Sequence, residues 1–223
     1  SEQADLFQLL GASQGEFPKV IIAPRTLEEC YRFTIHAFNL ADKYQCPVML
    51  ATDLYLAERL ETFDGVNITQ VPIERGELVT EANGASYRRF LDTPSGVSPR
   101  ALPGTPGTIY TAATDEHDED GVVISDVFTN PAIRVKMMEK RMRKMASMSK
   151  EIPAPTVDGP QEADLTLVGW GSTYQVLLEA MEALNHEGGP SAKGGSAAGG
   201  KVNVLCLNYL WPFPAEAVQQ ALS

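Results

Sequence analysis

Cysteine is scarce in this chain and poorly placed for metal chemistry. Cys30, Cys46 and Cys206 are odd in number, far apart and outside any C-x-x-C pair. That spacing offers neither a zinc knuckle nor an iron–sulfur cradle, and it favours a reducing compartment with buried thiols. No run of about 18 apolar residues occurs, so no stretch reads as a bilayer-spanning helix. The start, S-E-Q-A-D-L-F-Q-L-L, lacks the basic region and small-residue cleavage site of a signal peptide. It also lacks an initiator Met, as expected of a fragment or a processed chain. Basic residues are the minority, 18 Lys and Arg against 29 Asp and Glu, a net charge of -11. A field of that sign repels nucleic acid and anionic membrane surfaces, so neither is an expected partner. These absences together predict a cytoplasmic, soluble protein. What is present is apolar enough to build with: 43% of 223 residues are hydrophobic, sufficient for one large domain or two small ones.

The stretch Lys19 to Pro24, K-V-I-I-A-P, is a continuous apolar run of the kind found in strands covered on both faces, hence in parallel sheets. Thr26 to Tyr44 follows as a predicted helix, opened by the capping-box pair Thr26 and Glu29. Leu27, Cys30, Tyr31, Thr34, Ala37, Phe38 and Ala41 recur at helical steps and predict its apolar face. Pro47 to Thr52 is a second strand, which completes a βαβ unit with an expected right-handed crossover. Asp53 to Leu60 reads as a short helix and Val66 to Val71 as a short strand, and Thr93 to Pro106 is a proline-rich loop. Asn130 to Lys150 reads as one helix with Pro131 in its first turn. Its Met137, Met138, Met142, Met145 and Met148 form a packing stripe, with the Lys and Arg heads solvated or facing acidic neighbours. Ile152 to Pro160 reads as an interdomain linker. Beyond it come a strand from Ala163 ending in the turn G-W-G-S-T, a helix capped by Ser172 and Gln175, and a low-complexity insertion at Gly188 to Gly200. A strand over Val202 to Leu210 and a helix starting at Pro214 complete the pattern. The expectation is two α/β domains of parallel sheet with flanking helices, the second cut short by the end of the chain.

Four features could carry chemistry. T-D-E-H-D-E-D-G, Thr114 to Gly121, packs Asp115, Glu116, Asp118, Glu119 and Asp120 around His117. An EF-hand template set on Glu116 places glycine correctly at Gly121, but puts Val127 where a bidentate Glu is needed, so calcium fits poorly. A solvated acidic turn explains the carboxylates but not His117, which could serve as a charged donor near an anionic substrate. The G-W-G-S-T turn is half of a dinucleotide fingerprint, with Tyr174 where a third glycine belongs, and reads as structural. Arg100, the only charge in S-G-V-S-P-R-A-L-P-G, either ties backbone carbonyls together or clamps a carboxylate. The alternatives to an enzyme are therefore a noncatalytic nucleotide-binding module at the Gly169 turn or a calcium-binding module at the octet.

Several stretches in order resemble one family: S-E-Q-A-D-L at Ser1, F-P-K-V-I-I-A-P at Phe17, E-E-C-Y-R-F-T-I-H-A-F-N-L-A-D-K-Y at Glu28 and P-V-M-L-A-T-D-L-Y-L-A-E at Pro47. S-G-V-S-P-R-A-L-P-G at Ser95, D-E-H-D-E-D-G at Asp115, R-V-K-M-M-E-K-R at Arg134 and V-G-W-G-S-T at Val168 continue it. The chain is similar to the alpha subunit of 2-oxoacid:ferredoxin oxidoreductases, most closely the 2-oxoglutarate type, incomplete at both ends. The resemblance implies oxidative decarboxylation of a 2-oxoacid to an acyl-CoA, with electrons passed to ferredoxin. It implies thiamine diphosphate with magnesium shared with a partner beta subunit, and a 4Fe-4S cluster held by that partner. It also implies a pyrimidine-side domain at 1–151, with its linker helix, and a transketolase-C-terminal-like domain at 161–223 carrying the insertion 188–200. The family's pyrimidine-side glutamate and its Y-P-I-T-P motif lie upstream of Ser1. By this likeness the octet is a substrate-side active-site loop, with His117 and Asp118 as catalytic candidates, Arg100 as the substrate-binding candidate and no metal ligands in this chain.

Overall fold

A computed structural model describes residues 5–11, 13, 15–62, 65, 72–82, 87–124, 130–186 and 201–223. In chain order its elements are α1 (Asp5–Gly11), β1 (Val20–Ile22), α2 (Leu27–Tyr44), β2 (Val48–Leu50), α3 (Leu54–Glu58), β3 (Leu78–Val79) and β4 (Arg100–Ala101). There follow α4 (Pro131–Ser149), β5 (Thr156–Asp158), β6 (Leu165–Trp170), α5 (Thr173–Asn185), β7 (Val202–Leu207), β8 (Tyr209–Trp211) and α6 (Ala215–Ala221). They group into two compact units. The first comprises Ser1–Lys19, Phe38–Pro47 and Pro72–Glu151; the second comprises Val20–Ala37, Val48–Val71 and Ile152–Ser223. The predicted strand at Val66 to Val71 and insertion at Gly188 to Gly200 lie outside the described residues. No helix among those described is long and apolar enough to cross a membrane.

The second unit realises the βαβ pattern. Val20, Ile21 and Ile22 are buried, as their unbroken apolar run requires, and β1 pairs with β2 in parallel register, Val20 to Val48 through Ile22 to Leu50. The Thr26 hydroxyl accepts the Glu29 N–H at 3.2 Å, half of the predicted capping box. The other half is displaced by one residue: Glu29 accepts the Arg25 N–H at 2.8 Å, because the Arg25 guanidinium holds the same carboxylate at 2.5 Å. On α2 the buried positions are Ala37, Leu40 and Tyr44, whereas Phe38, predicted on the apolar face, is 73% exposed.

The sheets are α/β with parallel cores and antiparallel additions. β6 runs parallel to β7, and β5 joins β7 antiparallel, Thr156 opposite Cys206. A strand thus occupies the segment expected to be a linker. The run predicted as one strand from Val202 to Leu210 divides at Asn208 between two sheets, since β8 pairs antiparallel with β1. Asn208 explains the break. Its carbonyl accepts the Ala23 N–H at 2.7 Å, and its side-chain amide donates to Ala23 O at 3.2 Å and to Glu29 at 2.9 Å.

In the first unit β3 and β4 form a short parallel pair, Leu78 opposite Arg100, which anchors Arg100 in backbone register. α4 starts as its sequence demands: the Asn130 side chain accepts the Ile133 N–H at 3.2 Å and Pro131 enters the first turn. Its buried stripe is Met137, Lys140, Lys144 and Met148. The expectation that all the cationic heads reach solvent or acids is corrected here. Lys140 Nζ donates to Phe90 O at 2.7 Å and Lys144 Nζ to Gln45 O at 3.1 Å, so both ammoniums stay inside by binding carbonyls.

Candidate functional site

The acidic octet folds as a tight hairpin. His117 bridges Val123 antiparallel, and Ile124 N–H donates to Glu116 O at 2.9 Å. Asp118 closes the turn: its Oδ1 accepts the N–H groups of Asp120 and Val122, both at 2.9 Å. Gly121 sits at φ 78°, and a Cβ there would lie 2.1 Å from Thr111 O, so this position requires glycine.

The carboxylates are engaged by cations. Arg141 holds Glu116 at 2.6 Å, with Arg134 at 3.9 Å. Glu119 meets Lys136, stands 3.4 Å from Arg88 and accepts the Asp92 N–H at 3.0 Å. The Lys136 contact, followed by that backbone N–H, keeps the Glu119 carboxyl below its ordinary range. Arg88 grips Asp120 through two nitrogens, at 2.7 and 3.1 Å. Among the described residues no group of three His, Cys, Asp or Glu side chains could hold a metal ion. The octet is a hairpin cross-braced by Arg88 and the basic face of α4, which leaves the calcium alternative without support.

His117 faces the other way. Its Nδ1 lies 3.0 Å from Asp115 O, and a carbonyl can only accept, so Nδ1 carries the proton and a neutral ring keeps Nε2 as acceptor. The imidazole packs on Phe90 with centroids 4.1 Å apart. Phe90 meets Tyr110 edge-on at 6.0 Å, and Tyr110 meets Tyr87 at 6.0 Å. The Tyr87 hydroxyl donates to Pro99 O at 3.2 Å and accepts the Ala101 N–H at 3.0 Å, which fixes both neighbours of Arg100. A depression of about 500 Å³, lined by residues 101–110, begins next to Arg100 and ends on Tyr110.

The chain of rings thus runs from His117 to the backbone on either side of Arg100, without touching the guanidinium. The Arg100 guanidinium reaches Asp42 at 3.2 Å and Arg75 O at 3.5 Å, and its buried Nε has no partner among the described residues. Asp42 also accepts from Arg75 at 2.8 Å. Asp118 belongs to the same hairpin as His117, but one of its oxygens is occupied in the turn. Sequence reasoning did not find Asp42, Arg75, Phe90 or Tyr110. They carry no local motif and meet their partners only through the fold.

The G-W-G-S-T turn is structural. A Cβ at Gly169 would fall 2.5 Å from Leu177 Cδ1 and 2.9 Å from Thr173 Oγ1, so this glycine serves close strand–helix packing. Ser172, at the start of α5, donates its hydroxyl to Asp53 at 2.5 Å. Burial works against the Asp53 carboxylate, yet that hydroxyl and nearby backbone N–H groups hold its pKa below the ordinary value. An anionic side chain already stands where a nucleotide phosphate would bind, which disfavours the nucleotide-binding alternative.

Residues 1–140 match the family described as "Pyruvate flavodoxin/ferredoxin oxidoreductase, thiamine diP-bdg". The chain belongs to this family. Among curated oxidoreductases it is similar to the 2-oxoacid:ferredoxin oxidoreductase subunit alpha of Saccharolobus solfataricus, 37% identical over 84% of this chain and 30% of that protein. It is 29% identical to the 2-oxoglutarate oxidoreductase subunit KorA of Mycobacterium tuberculosis, over 96% of this chain and 30% of that protein. Among solved structures it is similar to the 2-oxoglutarate:ferredoxin oxidoreductase from Magnetococcus marinus with 2-oxoglutarate, coenzyme A and succinyl-CoA bound. The TM-score is 0.83 at 30% identity, over 98% of this chain and 36% of that one. The chain thus spans about a third of these relatives' length. The family is a thiamine-diphosphate-binding one. Among the described residues no acidic or imidazole cluster could by itself hold the cofactor's metal, and three of the octet's carboxylates answer cations instead.

Proposed function

We propose that this chain is part of the alpha subunit of a 2-oxoacid:ferredoxin oxidoreductase acting on 2-oxoglutarate in the cytoplasm. The reaction is oxidative decarboxylation to an acyl-CoA with electrons passed to ferredoxin. Thiamine diphosphate and its magnesium are shared with a partner beta subunit, and the 4Fe-4S cluster belongs to that partner. The domain division proposed with it is 1–151 for the pyrimidine side and 161–223 for the transketolase-C-terminal-like part. The family match ending at residue 140 supports that division.

One observation carries the reading: the aromatic chain that starts at His117 ends on Tyr87, whose hydroxyl holds the backbone on either side of Arg100, and its Tyr110 lines the depression. In this assignment Arg100 binds a substrate carboxylate. A carboxylate suits a guanidinium whose buried Nε has no partner among the described residues, and the contact would be charge-assisted. His117 presents Nε2 as a proton acceptor toward the reacting centre, its ring held by Phe90 and Asp115 O. Asp118 is proposed to act beside it, its Oδ1 fixing the hairpin. The test is co-purification of the full-length subunit with its partner, followed by assay of CoA-dependent reduction of ferredoxin or a viologen dye. Reduction driven by 2-oxoglutarate supports the assignment. A complex that carries thiamine and iron yet reduces neither acceptor with any 2-oxoacid refutes it.

A further inference from the structure

Phe90 is fastened more firmly than a packing residue requires. The buried Lys140 ammonium donates to its backbone carbonyl at 2.7 Å. Two residues to either side, Arg88 grips Asp120 and the Asp92 N–H donates to Glu119 at 3.0 Å. The segment is thus tied to α4 through Lys140 and to the octet hairpin through Asp120 and Glu119. Its ring is enclosed as well. The His117 imidazole lies 4.1 Å away between centroids, and Tyr110 meets the ring edge-on at 6.0 Å. A Cβ on Gly121 would come 3.3 Å from Phe90 Cε2, and the Arg89 guanidinium lies 5.6 Å from the ring centroid. The 4.1 Å spacing is closer than the about 4.5–7 Å of most ring pairs.

That contact bears on one degree of freedom of His117. The hydrogen bond to Asp115 O sets the proton on Nδ1, but it is exposed to water, which competes for both groups. Turning the imidazole about its Cβ–Cγ bond breaks it and puts Cδ2 where Nδ1 stood. The proton is then free to settle on Nε2, and the acceptor is lost. To turn, the ring must sweep one edge through the space that Phe90 fills, and Phe90 is held in place by Lys140.

We infer that Phe90, fastened by Lys140, is a positioning residue that locks the His117 ring with its proton on Nδ1 and Nε2 as acceptor. This rests on the reading that His117 takes a proton at the reacting centre, and it adds the residue that keeps the imidazole in the form able to do so. Phe90 acts through His117 and not on the substrate, so its loss changes kcat rather than KM, and only while His117 is present. A merely structural Phe90 would lower activity by the same factor whatever stands at position 117.

The experiment uses the full-length subunit with its partner. Phe90→Leu is expected to lower kcat about tenfold with KM within about twofold of the parent, as a ring free to turn spends most of its time misplaced. Phe90→Tyr, which keeps the aromatic face, recovers most of the loss. In a His117→Gln background, Phe90→Leu changes kcat by less than about twofold. Nitrogen-15 NMR of the histidine-labelled complex reads the tautomer without turnover, the His117 signals being those that vanish in His117→Gln. The parent shows the proton on Nδ1, and Phe90→Leu shows it averaged over both nitrogens. Phe90→Met, which keeps the volume without a ring, repeats both measurements if Phe90→Leu fails to assemble. If no 2-oxoacid is turned over but the tautomer responds in this way, the assigned reaction fails while the positioning role stands. If 2-oxoacids are turned over and the tautomer ignores Phe90, or kcat falls equally in both backgrounds, the positioning role is overturned and the assigned reaction stands.

Discussion

Lys140 is a buried ammonium with no carboxylate of its own, and its cost is measurable. The residue is 5% exposed, and its Nζ donates to Phe90 O at 2.7 Å. Burial, reinforced by the like charge of Lys144, pushes its pKa from an ordinary 10.5 down to about 8. At 1.36 kcal/mol per pH unit, that lowering corresponds to about 3 kcal/mol between protonation states. Because the Lys144 charge contributes, about 2 kcal/mol is the fairer expectation for Lys140 by itself. The sign follows from proton uptake. Between pH 8 and 10.5 the unfolded chain holds a proton on Lys140 that the folded chain has released, so folded stability rises with pH across that window. Below the window both states are protonated and the fold bears the full cost. Lys140→Met removes the titration and leaves Phe90 O without its donor, a loss of about 1–3 kcal/mol that does not depend on pH. Urea unfolding of both proteins from pH 7 to 10.5 at constant ionic strength separates the two effects. The stability of the parent relative to Lys140→Met should climb by about 2 kcal/mol, most of it above pH 8. The tyrosine and thiol groups raised by burial, Tyr209 to about 12 and Cys46 to about 11, move stability the other way in this range. They are present in both proteins and drop out of the difference. A difference that stays flat within about 0.5 kcal/mol would mean that Lys140 titrates like a solvated lysine, and the burial argument would be wrong.

Gly121→Ala should destabilise the chain by about 2 kcal/mol or more, read as a lowered Tm, because a Cβ meets Thr111 O at 2.1 Å in a left-handed backbone. An unchanged Tm would rule out the hairpin as drawn. Glu119 has its carboxyl held below the ordinary value, so the stability it contributes is present above that value and lost as pH falls through the folded pKa. Glu119→Gln should flatten that part of an acid-unfolding profile, and identical profiles would mean that the Lys136 contact contributes nothing. In the full-length complex Arg100→Ala should raise KM for 2-oxoglutarate more than for a monocarboxylate 2-oxoacid, whereas His117→Ala should lower kcat for both. Small and equal effects from both variants would make these residues structural.

What could be read in advance was whatever rests on local chemistry. The β1 run, the Thr26 cap and Pro131 in the first turn of α4 each depend on residues within a few positions of one another. Long-range competition decided the rest. Val202 to Leu210 is apolar apart from Asn203 and Asn208, and nothing in its pattern shows that Asn208 rather than Asn203 will split the strand by bonding Ala23 and Glu29. Lys140 and Lys144 look like surface residues by type, and only carbonyls presented by other segments allow them inside.

The site divides along the same line. His117 stood out because an imidazole among carboxylates is anomalous, Asp118 only through the family likeness of its loop, and Arg100 because it is a lone charge in a proline-rich loop. Their significance was less legible, since it depends on residues without any motif. The octet's carboxylates look like ligands until Arg88, Arg134, Lys136 and Arg141 are set against them. Arg100 looks free until Asp42 is set against it. The two outcomes differ in what they leave available. In the octet four cations engage Glu116, Glu119 and Asp120 and brace the hairpin, which suits holding one imidazole against Phe90. Around Arg100 one acid is shared between two cations, and the buried Nε has no partner among the described residues. A close ion pair is therefore no guide to function until the donors it leaves over are known. Cations that close on a turn brace the fold, and a buried guanidinium nitrogen without an acceptor is the place to look for an anionic substrate.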